Sequence, residues 1–207
     1  MIAYRTSMAG PREGSLDLAG VKDRVYVLLD GRLQGVSGRS RSPAGALPLN
    51  VPAGKHALDL VVENMGRINY GPWVNDERKG GAAPVTFGEK ELSGFSMVNL
   101  PLQAPWATKF EEIQDGKARG AGTLYRGVIH VGAPADTWLD MRGFGRGMVW
   151  LNGHNLGRYW KVGPVQSIFV PGCWLNAEKD NEVIVLELES ENPPLQVATS
   201  KDAIWGN

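Results

Sequence analysis

Two apolar runs in this sequence break at an Asx-Gly pair, and this pattern constrains the fold more than any other feature. Arg24-Val25-Tyr26-Val27-Leu28-Leu29 runs into Asp30-Gly31, and Gly147-Met148-Val149-Trp150-Leu151 runs into Asn152-Gly153. A two-residue type I′ turn needs positive φ at both central positions, which Asp or Asn followed by Gly adopts at low cost. Each pair therefore predicts a β-hairpin. Helical periodicity is nearly absent. Further strands are predicted over 57–63, 124–131, 137–141, 167–170 and 182–189, separated by turn residues. Gly (27) and Pro (13) make up about a fifth of the 207 residues, which suits short strands joined by tight turns. The predicted class is all-β, a sandwich or jelly roll in antiparallel strands.

The two hairpins align with each other. Val27 to Gly35 matches Val149 to Gly157 at an offset of about 122 residues, and Pro52-Ala53-Gly54 falls near Pro171-Gly172 ahead of the closing strands. Two copies of one sandwich are expected, over 1–103 and 104–207, with the boundary in the stretch that holds Pro101, Pro105 and Trp106. The first copy looks short. It starts at Tyr4-Arg5-Thr6 with little room for a preceding strand, so either the chain is an excerpt of a longer polypeptide or that sheet has an open edge near Tyr4.

Composition removes several function classes. The 22 basic and 22 acidic residues cancel, so no electrostatic argument favours nucleic acid or an anionic membrane. No run of about 18 apolar residues predicts a membrane span, and Met1-Ile2-Ala3-Tyr4-Arg5 shows no apolar region of a signal peptide. His56, His130, His154 and Cys173 have no metal-ligand spacing, so neither metal nor cofactor is expected. Gly143, Gly145 and Gly147 read as a turn rather than a phosphate cradle.

Six of the seven tryptophans lie beyond residue 103. A sugar presents an apolar C–H face and a rim of hydroxyls, so its site needs an aromatic plane beside amide or guanidinium groups. Trp150, Asn152, His154, Asn155, Arg158, Tyr159 and Trp160 supply both within one hairpin. The same residues can serve as scaffold: Trp150 as core, and Arg158 as a tie to loop carbonyls. A second cluster follows strand 57–63: Glu63-Asn64-Met65-Gly66-Arg67-Ile68-Asn69-Tyr70-Gly71, ending in Pro72-Trp73. Its polar groups can satisfy one another in a tight loop.

These two segments carry a family likeness. Gly147 to Leu151, Asn152-Gly153, then Leu156-Gly157-Arg158-Tyr159-Trp160 and Gly163-Pro164-Val165-Gln166 resemble the C-terminal β-sandwich region of glycoside hydrolase family 35 β-galactosidases. Val62 to Pro72 with Arg78-Lys79-Gly80-Gly81 matches a second signature of that family, and Tyr4-Arg5-Thr6 resembles the motif after its catalytic barrel. Arg146 stands where Lys is commoner. The resemblance implies two tandem antiparallel β-sandwiches of jelly-roll, galactose-binding-like type.

It also implies a role without catalysis. In the family, two carboxylates on a (β/α)₈ barrel cleave the bond, about 5 to 5.5 Å apart for retention. Such a barrel takes about 250 residues of alternating strands and helices. This chain has neither, and Glu111-Glu112, adjacent on an extended chain, would point apart. No catalytic residue is assigned. The expected partner is a catalytic barrel, in cis or in trans, with β-galactoside glycans as the second candidate. Asn64, Arg67, Asn69, Tyr70 and Trp73 are the residues expected at the barrel interface. The parent would be a retaining β-galactosidase from a secreted, periplasmic or lysosomal setting. The alternative is a free-standing carbohydrate-binding module.

Overall fold

The computed structural model describes residues 1–207 except 39–44, 73, 76, 77, 82, 103–108 and 207. Pro105, Trp106 and the step from 103 to 104 therefore lie outside the described residues, as does Trp73. The chain divides into two compact units, Met1–Pro101 and Leu102–Asn207. It is an all-β protein of antiparallel strands. Among the described residues the only helical element is a single 3₁₀ turn, Gly172–Trp174.

The first unit contains β1 (Ile2–Asp17), β2 (Val21–Lys22), β3 (Arg24–Leu29), β4 (Arg32–Ser37), β5 (Ala46–Glu63), β6 (Gly80–Gly81), β7 (Thr86–Phe87), β8 (Lys90–Glu91) and β9 (Ser96–Asn99). The main sheet runs β4-β3-β5-β1-β7-β8, with β9 also on β1, and β2 pairs with β6. Both long strands serve the two layers of the sandwich. One half of the β1–β5 ladder carries Leu58, Leu60 and Val62 beside β3. The other half carries Leu16, Leu49 and Val51, and all six meet in one core with Val25, Val27 and Phe87.

Of the two alternatives for the start of the chain, the open edge near Tyr4 is not found. Tyr4 sits on an inner strand, paired with Leu60 on one side and Met97 on the other. The run Ala9-Gly10-Pro11-Arg12-Glu13-Gly14 lacks the apolar alternation that marks a strand, so its backbone pairing left no trace in the sequence pattern. Pro48, Pro52 and Gly54 hid the first part of β5 in the same way.

The second unit contains β10 (Thr123–Ile129), β11 (Thr137–Asp140), β12 (Arg146–Leu151), β13 (His154–Trp160), β14 (Ser167–Val170), β15 (Asn181–Glu187) and β16 (Thr199–Ser200). Two sheets, β10-β15-β12-β13 and β14-β11-β16, enclose a core of Leu139, Phe144, Val149, Leu151, Tyr159, Val170 and Val185, among others.

Both predicted hairpins form. Asp30 and Gly31 have φ of 50° and 77°, and Asn152 and Gly153 have 48° and 82°, the signs a type I′ turn needs. The register shifts once in each hairpin, between Val27 and Leu28 in one and between Val149 and Trp150 in the other. These positions are 122 residues apart, the offset seen in the sequence.

Candidate functional site

The β12–β13 hairpin holds all seven residues expected to touch a sugar, and the structure separates them. Val149 and Leu151 point into the sandwich core. The period of two sends Trp150 to the opposite face, opposite Ile184. That face is also buried: Trp150 is 1% exposed, and Met148, Ile184 and Leu186 beside it are buried too. A side chain so enclosed offers no plane to a sugar ring. Tyr159 is likewise buried, and its hydroxyl donates to the Leu186 carbonyl (2.9 Å) and to Glu187 (3.1 Å).

Asn152 is committed to the turn. Its Nδ2 donates to the Trp174 carbonyl (2.7 Å) and to Asn181 Oδ1 (2.9 Å), and its Oδ1 accepts from Glu182 N (2.9 Å). Asn155 donates to the Leu102 carbonyl (2.6 Å) and accepts from Gly157 N (2.8 Å). His154 is exposed but lies flat on Trp174, with ring centroids 4.4 Å apart and planes 10° apart. The other side of Trp174 packs on the core, so His154 covers the face that a sugar would use. Trp160 is half-buried, with the buried Arg146 guanidinium 4.2 Å from its ring centre. Arg158 is exposed. Of the seven, only His154, Arg158 and parts of Asn155 and Trp160 reach the surface beyond the turn.

Glu187, which no pattern in the sequence marks, organises this region. It is 0% exposed, at the end of the central strand β15. One oxygen accepts from Gly145 N (2.9 Å) and the Tyr159 hydroxyl; the other accepts from Arg146 N (3.3 Å), Glu189 N (2.7 Å) and Ser190 N (2.8 Å). A carboxylate fits because it offers about four acceptor sites and no donor. The glycines around the start of β12 serve close packing as well as a turn. Only Gly143 has positive φ (88°), whereas a Cβ on Gly147 would fall 1.6 Å from the Leu186 carbonyl oxygen.

The second expected cluster is a loop of the first unit. Asn64, Arg67, Asn69 and Tyr70 are all exposed, Tyr70 at 90%. Glu63 is buried, and its carboxylate accepts from the Tyr26 hydroxyl (3.0 Å). The loop is tied at its neck by Asp23, which sequence reading did not single out. Asp23 accepts from Met65 N (2.8 Å) where the loop leaves β5, and from Lys79 Nζ (2.7 Å) where the chain enters β6. Asn64 Oδ1 accepts from Gly66 N (2.8 Å), which tightens the first turn. Asp23→Ala is expected to cost about 2 kcal/mol, because a part-buried amide and an ammonium lose one shared, buried acceptor. Amide exchange over 64–72 should rise while that of β12 is unchanged.

Among the described residues no group of three or more His, Cys, Asp or Glu could hold a metal ion. Glu111 and Glu112 are both exposed. Among the described residues no helix is long and apolar enough to cross a membrane.

Residues 1–102 match the profile of the β-galactosidase first all-beta domain, and residues 122–181 match that of the β-galactosidase galactose-binding domain. A β-galactosidase of Xanthomonas manihotis is 41% identical over 169 residues, covering 82% of this chain and 28% of that protein. The human β-galactosidase is 33% identical over 230 residues, covering 97% of this chain and 33% of its own length. The bovine enzyme is 35% identical, covering 91% and 32%. The chain thus spans about a third or less of the curated relatives it matches. A solved lectin of Pleurotus ostreatus in complex with GalNAc aligns over 96% of this chain and 70% of its own, with 10% identity and a TM-score of 0.29. A likeness that weak bears on neither fold nor ligand.

Proposed function

The chain belongs to the C-terminal β-sandwich domains of the β-galactosidases, and from that premise we propose that it braces a catalytic barrel and does not itself bind the galactoside. The whole protein would be a retaining β-galactosidase of family 35, with its two carboxylates on a barrel outside this chain. The observation that carries this reading is the Asp23-tied loop with its tip held in solvent. A neck fixed by a buried ion pair presents Asn69 and Tyr70 at low entropic cost, and a fully exposed tyrosine is the kind of anchor a partner surface covers. The hairpin serves as scaffold in this account, because its aromatic rings are packed or covered.

The test joins this chain to a family 35 barrel expressed separately and follows amide exchange. Docking is expected to protect amides 66–71, and Tyr70→Ala should weaken the association about tenfold or more. Docking that leaves these amides unprotected and is insensitive to Tyr70→Ala would overturn the proposed contact.

A further inference from the structure

The two hairpin turns are closed by one hydrogen-bond pattern, but only one of them can titrate. In the second unit Asn152 N donates to the Glu182 carbonyl, Asn152 Oδ1 accepts from Glu182 N, and Asn152 Nδ2 donates to Asn181. In the first unit Asp30 N donates to the Ala57 carbonyl (2.9 Å), and Asp30 Oδ1 accepts from Ala57 N (2.8 Å). The remaining oxygen, Oδ2, meets His56 Nδ1 at 2.6 Å. Asp30 stands for Asn152, Ala57 for Glu182, and His56 for Asn181. A neutral amide pair in one unit is an ionisable pair in the other.

We propose that Asp30 and His56 form a proton-operated clamp, which holds the first hairpin onto β5 while His56 is protonated and slackens when that proton leaves. The geometry favours a donor at Nδ1, which meets the carboxylate, whereas Nε2 is buried without a hydrogen-bond partner. The His56 side chain is 15% exposed, with Nε2 over the Pro52–Gly54 bend, 3.5 Å from where a Cβ on Gly54 would lie. Nδ1–H faces a carboxylate, which makes the bond charge-assisted. The charged groups facing the pair are Arg5 and Lys55, which line the same shallow cavity. Arg5 is held in a two-pronged pair with Asp59 (2.6 and 2.8 Å), so Lys55 is the cation that opposes a charge on His56, and Asp30 is the nearer group.

The hydrogen bond to Asp30 raises His56 above its ordinary 6.5, and the carbonyls of Ala53 and Pro52 add to this. The bond to His56 lowers Asp30 below 3.8, helped by Ala57 N. A raised histidine contributes stability that is full below 6.5 and lost as pH rises through its folded value. A lowered aspartate contributes stability present above 3.8 and lost as pH falls through its folded value. The clamp is therefore strongest between the two transitions.

Amide exchange of the whole chain reads the clamp locally, with the second unit as internal reference. From about pH 5.5 to about pH 8, the protection factor of Ala57 N should fall several-fold while that of Glu182 N stays level. Asp30→Asn repeats the residue found at Asn152 and His56→Asn the one at Asn181, so both variants keep the turn. Each should flatten the Ala57 profile. A parallel change at Ala57 and Glu182, or a slope that survives both substitutions, would overturn the proposal.

Discussion

Glu187→Ala should lower the melting temperature of the second unit by about 15 °C or more, corresponding to a loss of about 4 kcal/mol. The substitution removes an acceptor of four backbone amides, and one of the two acceptors of the Tyr159 hydroxyl, at a position water does not reach. A buried donor left without a partner costs about 1–3 kcal/mol, and the groups here can relax only in part. Glu187→Gln is the informative companion. It keeps one acceptor oxygen but places an NH₂ against amides that also donate, so it should recover only part of the loss. Scanning calorimetry that showed Glu187→Ala melting within a degree or two of the parent would mean that the carboxylate is dispensable.

Trp150→Ala should cost about 4 kcal/mol, because removing a buried tryptophan loses its transfer energy and leaves a cavity between Met148, Ile184 and Leu186. Trp150→Phe refills most of that space and should cost less. The pair separates packing from recognition. A tryptophan kept for stacking on a sugar would leave the melting temperature nearly unchanged when shortened and take ligand binding with it. A tryptophan kept for packing does the opposite, and thermal unfolding in denaturant or heat distinguishes them.

The fold was legible where side-chain pattern and turn chemistry agreed. Strands β3 and β14 fall at their predicted limits, and both type I′ turns follow from Asp30-Gly31 and Asn152-Gly153 alone. Strand β1 was not legible, because its pairing is a property of the backbone and its middle, Ala9 to Gly14, carries no alternation. The candidate site was legible only as composition. Trp150 and Trp160 are two of many aromatic residues in the second half, and a sequence does not say that the face opposite the core is itself covered. Asp23 and Glu187 were invisible for a related reason. Each acts through backbone amides brought from distant positions, 42 residues away for Met65 and for Gly145, and a lone acidic residue has no local signature of that role. The clamp at His56 could have been found by carrying the internal alignment one strand further, where His56 takes the place of Asn181.

The most direct test of the account is a calorimetric titration of this chain with galactose, lactose and β-galacto-oligosaccharides, beside Trp160→Ala. Scaffolding predicts no saturable heat up to about millimolar sugar, from a chain that melts cooperatively, with parent and variant alike. Saturable binding that disappears in Trp160→Ala would contradict it and make the hairpin the site of a galactose-binding module.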